Sequence, residues 1–96
     1  MRKQYYLYIL ASKKNGTLYV GMTNDLVRRI QEHHSRAIKG FTEKYMVHRL
    51  VYYEVYDSPE EAIRSEKNIK AWQRAWKIRL IETVNPSWQD ISNDLF

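Results

Sequence analysis

The stretch YILASKKNGTLYVGMTNDLVRRIQEH, residues 8–33, reads as strand, tight turn, strand and helix, and the rest of the chain either packs against it or completes it. From Tyr5 to Leu10 aromatic and branched side chains favour extended backbone, with Tyr6, Tyr8 and Leu10 on one face and Tyr5, Leu7 and Ile9 on the other. Asn15-Gly16 signals a hairpin because both residues tolerate positive φ, so Thr17 to Val20 should return antiparallel. Two registers remain open. A two-residue turn places Tyr19 opposite Ser12, and a longer loop bounded by Ala11 and Gly16 places it opposite Tyr8. In either one, alternation leaves the two tyrosines on one face.

Gly21 is expected to end the second strand. Thr23 or Asn24 then caps a helix whose positive end suits Asp25. Leu26 and Ile30, with Val27 beside them, form its apolar stripe; Arg29 and His33, four residues apart, stack on one side while Arg28 points elsewhere. The helix should fade before Lys39-Gly40, and Phe41 to Met46 reads as a short helical turn or an irregular connection. Val47 to Tyr56 predicts a third strand in which Val51, Tyr53 and Val55 alternate with Leu50, Tyr52 and Tyr56. Ser58-Pro59-Glu60-Glu61 is a capping box with proline at the first helical position, opening a helix that runs to about Trp72. The apolar register shifts near Gln73, which predicts a second helix, Arg74 to Val84, set at an angle and stopped by Asn85-Pro86. The tail from Ser87 to Phe96 should lie on the surface with Trp88 docked inward.

Ninety-six residues fit one domain with a modest core, and no apolar run approaches the roughly 20 residues that span a bilayer. The amino terminus leads straight into a strand without an apolar leader segment, so cytoplasmic residence is the expectation. The absence of cysteine excludes disulfides and thiolate metal sites, and three histidines argue against a histidine-rich zinc site. Any metal should be a hard, carboxylate-bound cation. A net charge of +5 favours a polyanionic partner, although a solvated basic surface would have the same composition.

Glu66 is informative because a helical wheel sets it between Ala62, Ile63, Ile69 and Trp72, where an unpaired carboxylate is costly. It is either an edge residue paired with a nearby cation or a metal-binding or catalytic carboxylate. Arg29 and His33 could equally be an ordinary solvated helix face, and Tyr8 and Tyr19 ordinary strand formers. His34 and His48 read as surface or strand residues. Trp72, Trp76 and Trp88 could stack on nucleobases, but their spacing among isoleucines reads first as core.

Taken together, the pattern from Tyr6 to about Trp88 resembles the GIY-YIG endonucleases, and in particular their small single-domain, YhbQ-like or UPF0213-type, members. Tyr6-Leu7-Tyr8 corresponds to the first motif, with Tyr6 where glycine is usual, and Tyr19-Val20-Gly21 to the second, intact. Arg29 matches the family's essential arginine, His33 a histidine one turn later, Glu66 the metal-binding glutamate, and Asn85 a downstream asparagine used by some members. The resemblance implies a single α/β domain, residues 1–96 with a core at about 5–88, built on a small three-stranded antiparallel sheet flanked by helices. It implies hydrolysis of nucleic-acid phosphodiesters, DNA rather than RNA, in repair or processing. The catalytic set would be Tyr8, Tyr19, Arg29, His33 and Glu66, with Glu66 holding one Mg²⁺ or Mn²⁺ and either tyrosine able to serve as the base. Arg29, Lys70, Arg74 and Lys77 would contact phosphates. Specificity would come from this one surface or from a protein partner. The alternatives are a nucleic-acid-binding module without turnover and a protein-interaction adaptor with the same fold.

Overall fold

Extended backbone at Tyr5–Ala11 (β1), Leu18–Thr23 (β2) and Arg49–Tyr56 (β3) forms an antiparallel sheet in the order β2-β1-β3 in the computed structural model, which describes residues 3–35 and 44–95. The helix that starts at Leu26 ends at His34, ahead of Lys39-Gly40 as expected, and residues 36–43 lie outside the described residues. Among the described residues the sheet is flanked by the α-helices Leu26–His34 (α1), Pro59–Ala71 (α2) and Arg74–Val84 (α3), followed by a 3-10 helix at Ile91–Leu95. β1 runs through the middle, and Leu7 to Ala11 are all buried because the strand is covered on both faces. On one face Leu7, Ile9, Ala11 and Val20 pack with Val51, Tyr52, Ile69, Ile81 and Trp88. On the other, Tyr8 and Leu10 pack with Leu26, Ile30, Val47 and Leu50. Fully burying each such aliphatic side chain contributes roughly 1.5–3 kcal/mol.

The hairpin adopts neither expected register, for Tyr19 lies opposite Leu10 and Tyr8 opposite Gly21. A four-residue connection causes this. Gly16 N donates to Lys13 O at 2.9 Å and Ser12 N to Thr17 O at 3.0 Å, and only Asn15 takes a positive φ, 58°. The two tyrosines still share a face, because Leu10 and Tyr8 do. Nor does Gly21 end β2; the strand continues to Thr23.

In β3 the expected alternation fails at a bulge. Ile9 pairs with Tyr52 but Leu10 pairs with Leu50, leaving Val51 as the extra residue. Val51 and Tyr52 therefore both join the core with Leu7 and Ile9, whereas Leu50 and Tyr53 pack with Tyr8's cluster.

Helix starts follow local chemistry. Asp25, not Thr23 or Asn24, caps α1, its side chain accepting from Arg28 N at 3.2 Å, and Thr23 Oγ1 accepts from Asp25 N at 3.1 Å. Ser58 caps α2 by accepting from Glu61 N, with Pro59 in the first turn. Trp72 and Gln73 both have extended backbone, with ψ of 151° and 150°, and this break separates α2 from α3 without glycine or proline. Among the described residues no helix is long and apolar enough to cross a membrane.

The tail joins both faces. Trp88, with φ of 56°, is fully buried, donates from Nε1 to Glu82 and accepts at its carbonyl from Arg49. Ile91 and Leu95 pack on Tyr8's side of the sheet. Asn85 ends α3, and its amide donates to Val51 O and Gln89 O at 3.0 and 2.9 Å while accepting from Gln89 N at 3.0 Å. Removing this buried side chain takes away its hydrogen bond to the carbonyl of Val51. Asn85→Ala is expected to lower unfolding free energy by roughly 1–3 kcal/mol, read as a lower urea midpoint at unchanged slope; an unchanged midpoint would show that Asn85 does not secure the tail.

Candidate active site

Tyr8 stands on the central strand, and its ring leans across β2 at Gly21. A Cβ at that position would lie 2.6 Å from both Cζ and the hydroxyl oxygen of Tyr8 and 3.0 Å from Cε1 of Tyr19, closer than packed atoms tolerate. Glycine is needed here for that close approach, and it lets the Tyr8 hydroxyl reach toward the open edge of β2. Tyr19 comes from β2 on the same face, its ring centroid 6.3 Å from that of Tyr8. From α1, His33 completes a three-ring cluster at 6.0 Å from Tyr8 and 5.8 Å from Tyr19. Its Nε2 lies 3.4 Å from the Tyr8 hydroxyl oxygen.

His33 is only 4% exposed. Burial, with Arg29 and His34 adding, lowers its pKa to about 4, against a smaller opposing effect from Glu32. At neutral pH the imidazole is therefore uncharged and can accept a proton. Burial also pushes the Tyr8 phenol well above its ordinary range; Tyr19, Glu66 and Glu32 add to the shift and Arg29 opposes it. Tyr8 is thus a neutral phenol at neutral pH.

Arg29 lies one turn before His33, close enough for its charge to act on both Tyr8 and His33. It makes an ion pair with Glu32 at 3.8 Å, and Glu32 is shared with Arg28 at 3.7 Å. A polar concavity of about 220 Å³ opens beside it, lined by Thr23, Asn24, Asp25, Arg28, Arg29 and Glu32.

Glu66 comes from α2, which packs against β2 and β1, and its charge reaches the Tyr8 hydroxyl. Its side chain is 22% exposed and meets Lys70 at 3.7 Å. It sits at the edge of the apolar stripe, because Ile63 is exposed and only Ala62 and Ile69 of the helix are buried.

Of the other residues singled out from sequence, Lys70 is engaged with Glu66, Lys77 is half-buried, and exposed Arg74 reaches across to the hairpin, Nη2 donating to the carbonyls of Asn15 and Gly16 at 2.7 and 2.6 Å. Asn85 is tied to Val51 and Gln89, and no contact with the Tyr8 cluster is among its hydrogen bonds. Glu32 was not anticipated from sequence. Its place three residues after Arg29 and next to His33 was the available signal, since that spacing sets an acid beside the arginine on a helix.

A family profile described as GIY-YIG catalytic domain matches residues 4–79, which include Tyr8, Tyr19, Arg29, His33 and Glu66 but not Asn85. The chain is 35% identical over 78 residues to a UPF0213 protein of Staphylococcus saprophyticus, covering 81% of this chain and 94% of that protein. It is 33% identical over 83 residues to a UPF0213 protein of Bacillus pumilus, covering 86% and 84%. The solution structure of a UPF0213 protein from Bacillus halodurans superposes with a TM-score of 0.57 at 33% identity, covering 91% of this chain and 92% of that one.

The depressed His33 pKa has a thermodynamic consequence. The unfolded chain, with a histidine pKa of about 6.5, binds the proton before the folded chain does, so this contribution to stability is full above that value and is lost as pH falls toward 4. The loss is on the order of 3 kcal/mol. Urea unfolding of wild type and His33→Gln between these limits should show a steeper acid loss in wild type; parallel profiles would mean that His33 is not held neutral.

Proposed function

The chain belongs to the GIY-YIG family, and from that premise we propose that it is a metal-dependent endonuclease that hydrolyses nucleic-acid phosphodiester bonds, DNA in preference to RNA, in DNA repair or processing. The observation that carries this reading is the contact between the Tyr8 hydroxyl and Nε2 of a neutral His33, with the Arg29 charge alongside. A phenol with a raised pKa is a poor base by itself. It serves once its own proton has somewhere to go, and an uncharged imidazole 3.4 Å away is that acceptor in the tautomer that leaves Nε2 unprotonated; with its basicity lowered by burial it takes the proton only in concert with attack.

In the proposed reaction, the Tyr8 oxygen takes a proton from the attacking water as the Tyr8 hydroxyl proton passes to His33 Nε2. The water oxygen bonds to phosphorus and the bond to the leaving oxygen breaks. This favours Tyr8 over Tyr19 as the base. Tyr19, packed on both rings, orients water or phosphate, and Arg29 donates to the phosphate as negative charge develops. In the free protein Glu32 balances Arg29, and an arriving phosphate competes with that exposed pair.

Among the described residues no group of three or more acidic, histidine or cysteine side chains could hold a metal ion. A lone carboxylate fits Mg²⁺ or Mn²⁺ nonetheless, because Mg²⁺ is commonly held by one or two carboxylates, water and substrate phosphate. Glu66, half-buried and paired only loosely with Lys70, is that carboxylate. When bound, the cation supplies Lewis-acid stabilisation of phosphoryl charge.

Cleavage of single-stranded, duplex and branched DNA with Mg²⁺, Mn²⁺ or EDTA tests the proposal. Glu66→Gln should abolish metal-dependent cleavage while keeping fold and most affinity. Arg29→Ala should lower turnover by roughly 10²–10³ and weaken binding as well. Full activity in folded Glu66→Gln protein would remove the assigned metal ligand, and wild-type protein that binds without cutting would point to a binding module. Because the small basic surface must rely on phosphates, the association constant should fall steeply with salt. A flat dependence would favour the adaptor reading.

A further inference from the structure

Trp76 departs from the core role expected of it. It is 52% exposed, among the largest exposed apolar side chains described, and it stands at the start of α3 just past the break between α2 and α3. The ring of half-buried Trp72 meets it edge to face, centroids 6.1 Å apart at 77°. Trp72, Trp76, Arg79, Leu80 and Thr83 line a cleft of about 290 Å³. Its α3 members recur at helical spacing on one face. That volume lies just below the roughly 300–1,000 Å³ usual for ligand pockets, so one flat ring system fits where a partner helix does not.

The charge around the cleft selects the occupant. α3 carries Arg74, Lys77 and Arg79 against one carboxylate, Glu82, which accepts from the buried Trp88 Nε1. Glu54, in the adjoining cleft that shares Trp72 and Leu80, accepts from the hydroxyls of Tyr52 and Tyr56. Arg79 is thus the charged side chain lining the aromatic cleft. Exposed tryptophan beside arginine suits a group that joins an aromatic face to an anion, as a nucleobase and its phosphate do.

We propose that Trp72, Trp76 and Arg79 form a stacking subsite for an unpaired nucleobase, so that the ligand is nucleic acid with a single-stranded segment. This rests on the preceding reading only in that the chain meets nucleic acid; it does not require cleavage. A base inside a duplex keeps its faces stacked on its neighbours, whereas an unpaired one offers a face to Trp76.

Tryptophan fluorescence tests it, with Trp88, fully buried, as an internal emitter shielded from solvent. Single-stranded oligo(dT), an abasic oligomer of equal length and a blunt duplex are titrated into wild type, Trp76→Ala, Trp76→Phe and Arg79→Ala. Oligo(dT) should quench wild type, and the abasic oligomer and duplex should quench far less. Trp76→Ala should weaken oligo(dT) binding by roughly five- to a hundredfold, Trp76→Phe should recover most of it, and Arg79→Ala should weaken it in part. Equal affinity of wild type for oligo(dT) and the abasic oligomer would overturn the subsite. So would wild-type affinity in Trp76→Ala, or self-association of the wild type that Trp76→Ala abolishes, which would make the cleft a contact between copies. Quenching by oligo(dT) in a protein that never cuts would remove the nuclease reading and leave the subsite. Glu66-dependent cutting with oligo(dT) binding indifferent to Trp76 would do the reverse.

Discussion

A buried phenol must find a hydrogen-bond partner, and that requirement organises this molecule. β1 is covered on both faces, and within its buried run from Leu7 to Ala11 the only polar side chain is Tyr8. Leaving its hydroxyl without a partner would cost about 1–3 kcal/mol. The fold answers with His33 from α1, with a glycine in β2 beneath the ring, and with a helix cap at Asp25 that fixes where α1 begins and hence where His33 falls. The same burial that makes the contact necessary keeps the imidazole uncharged, so the structural demand and the chemical capacity have one cause.

Much of this was legible in the sequence because it depends on local rules. Period-two alternation identified β1 and put both tyrosines on one face whatever the register, and the capping box at Ser58 and the shift of apolar register near Gln73 marked both ends of α2. The exact hairpin pairing was not legible. Asn15-Gly16 fixes that a turn occurs, but loop length depends on Ser12 and Thr17 closing a wider connection. The β3 bulge was hidden for a similar reason: an extra residue in one strand is defined by its partner, and Leu50 to Tyr56 read alone looks regular.

Side-chain roles followed the same division. Spacing placed Arg29 and His33 on one side of a helix, and that is a property of the helix itself. Whether Arg74 also meets a neighbouring loop depends on an element nearly sixty residues earlier, and it does so while remaining exposed. Trp76 misled in the opposite direction. Helical spacing among isoleucines describes a face, but past the extended break at Trp72 and Gln73 part of that face is left exposed. Glu66 fell between: the wheel put it inside an apolar arc, and the exposure of Ile63 narrowed that arc until the carboxylate stood at its rim.

The clasp between Arg74 and the hairpin also governs how freely the loop can vary over generations. Arg74 donates to the carbonyls of Asn15 and Gly16, groups that every amino acid carries, so the attachment asks nothing of the loop's own side chains. Position 15 is held to residues that accept a φ of 58°, and position 16 is crowded by Ser12 Oγ and Lys13 Cγ at 2.3 and 2.8 Å from any added Cβ. Lys13 and Lys14, both exposed, carry no such restriction. Apart from the Ser12 hydroxyl that accepts from Thr17 N, the tip of the hairpin that presents both tyrosines is thus anchored through its backbone, and its outward charge is open to drift without disturbing the rings behind it.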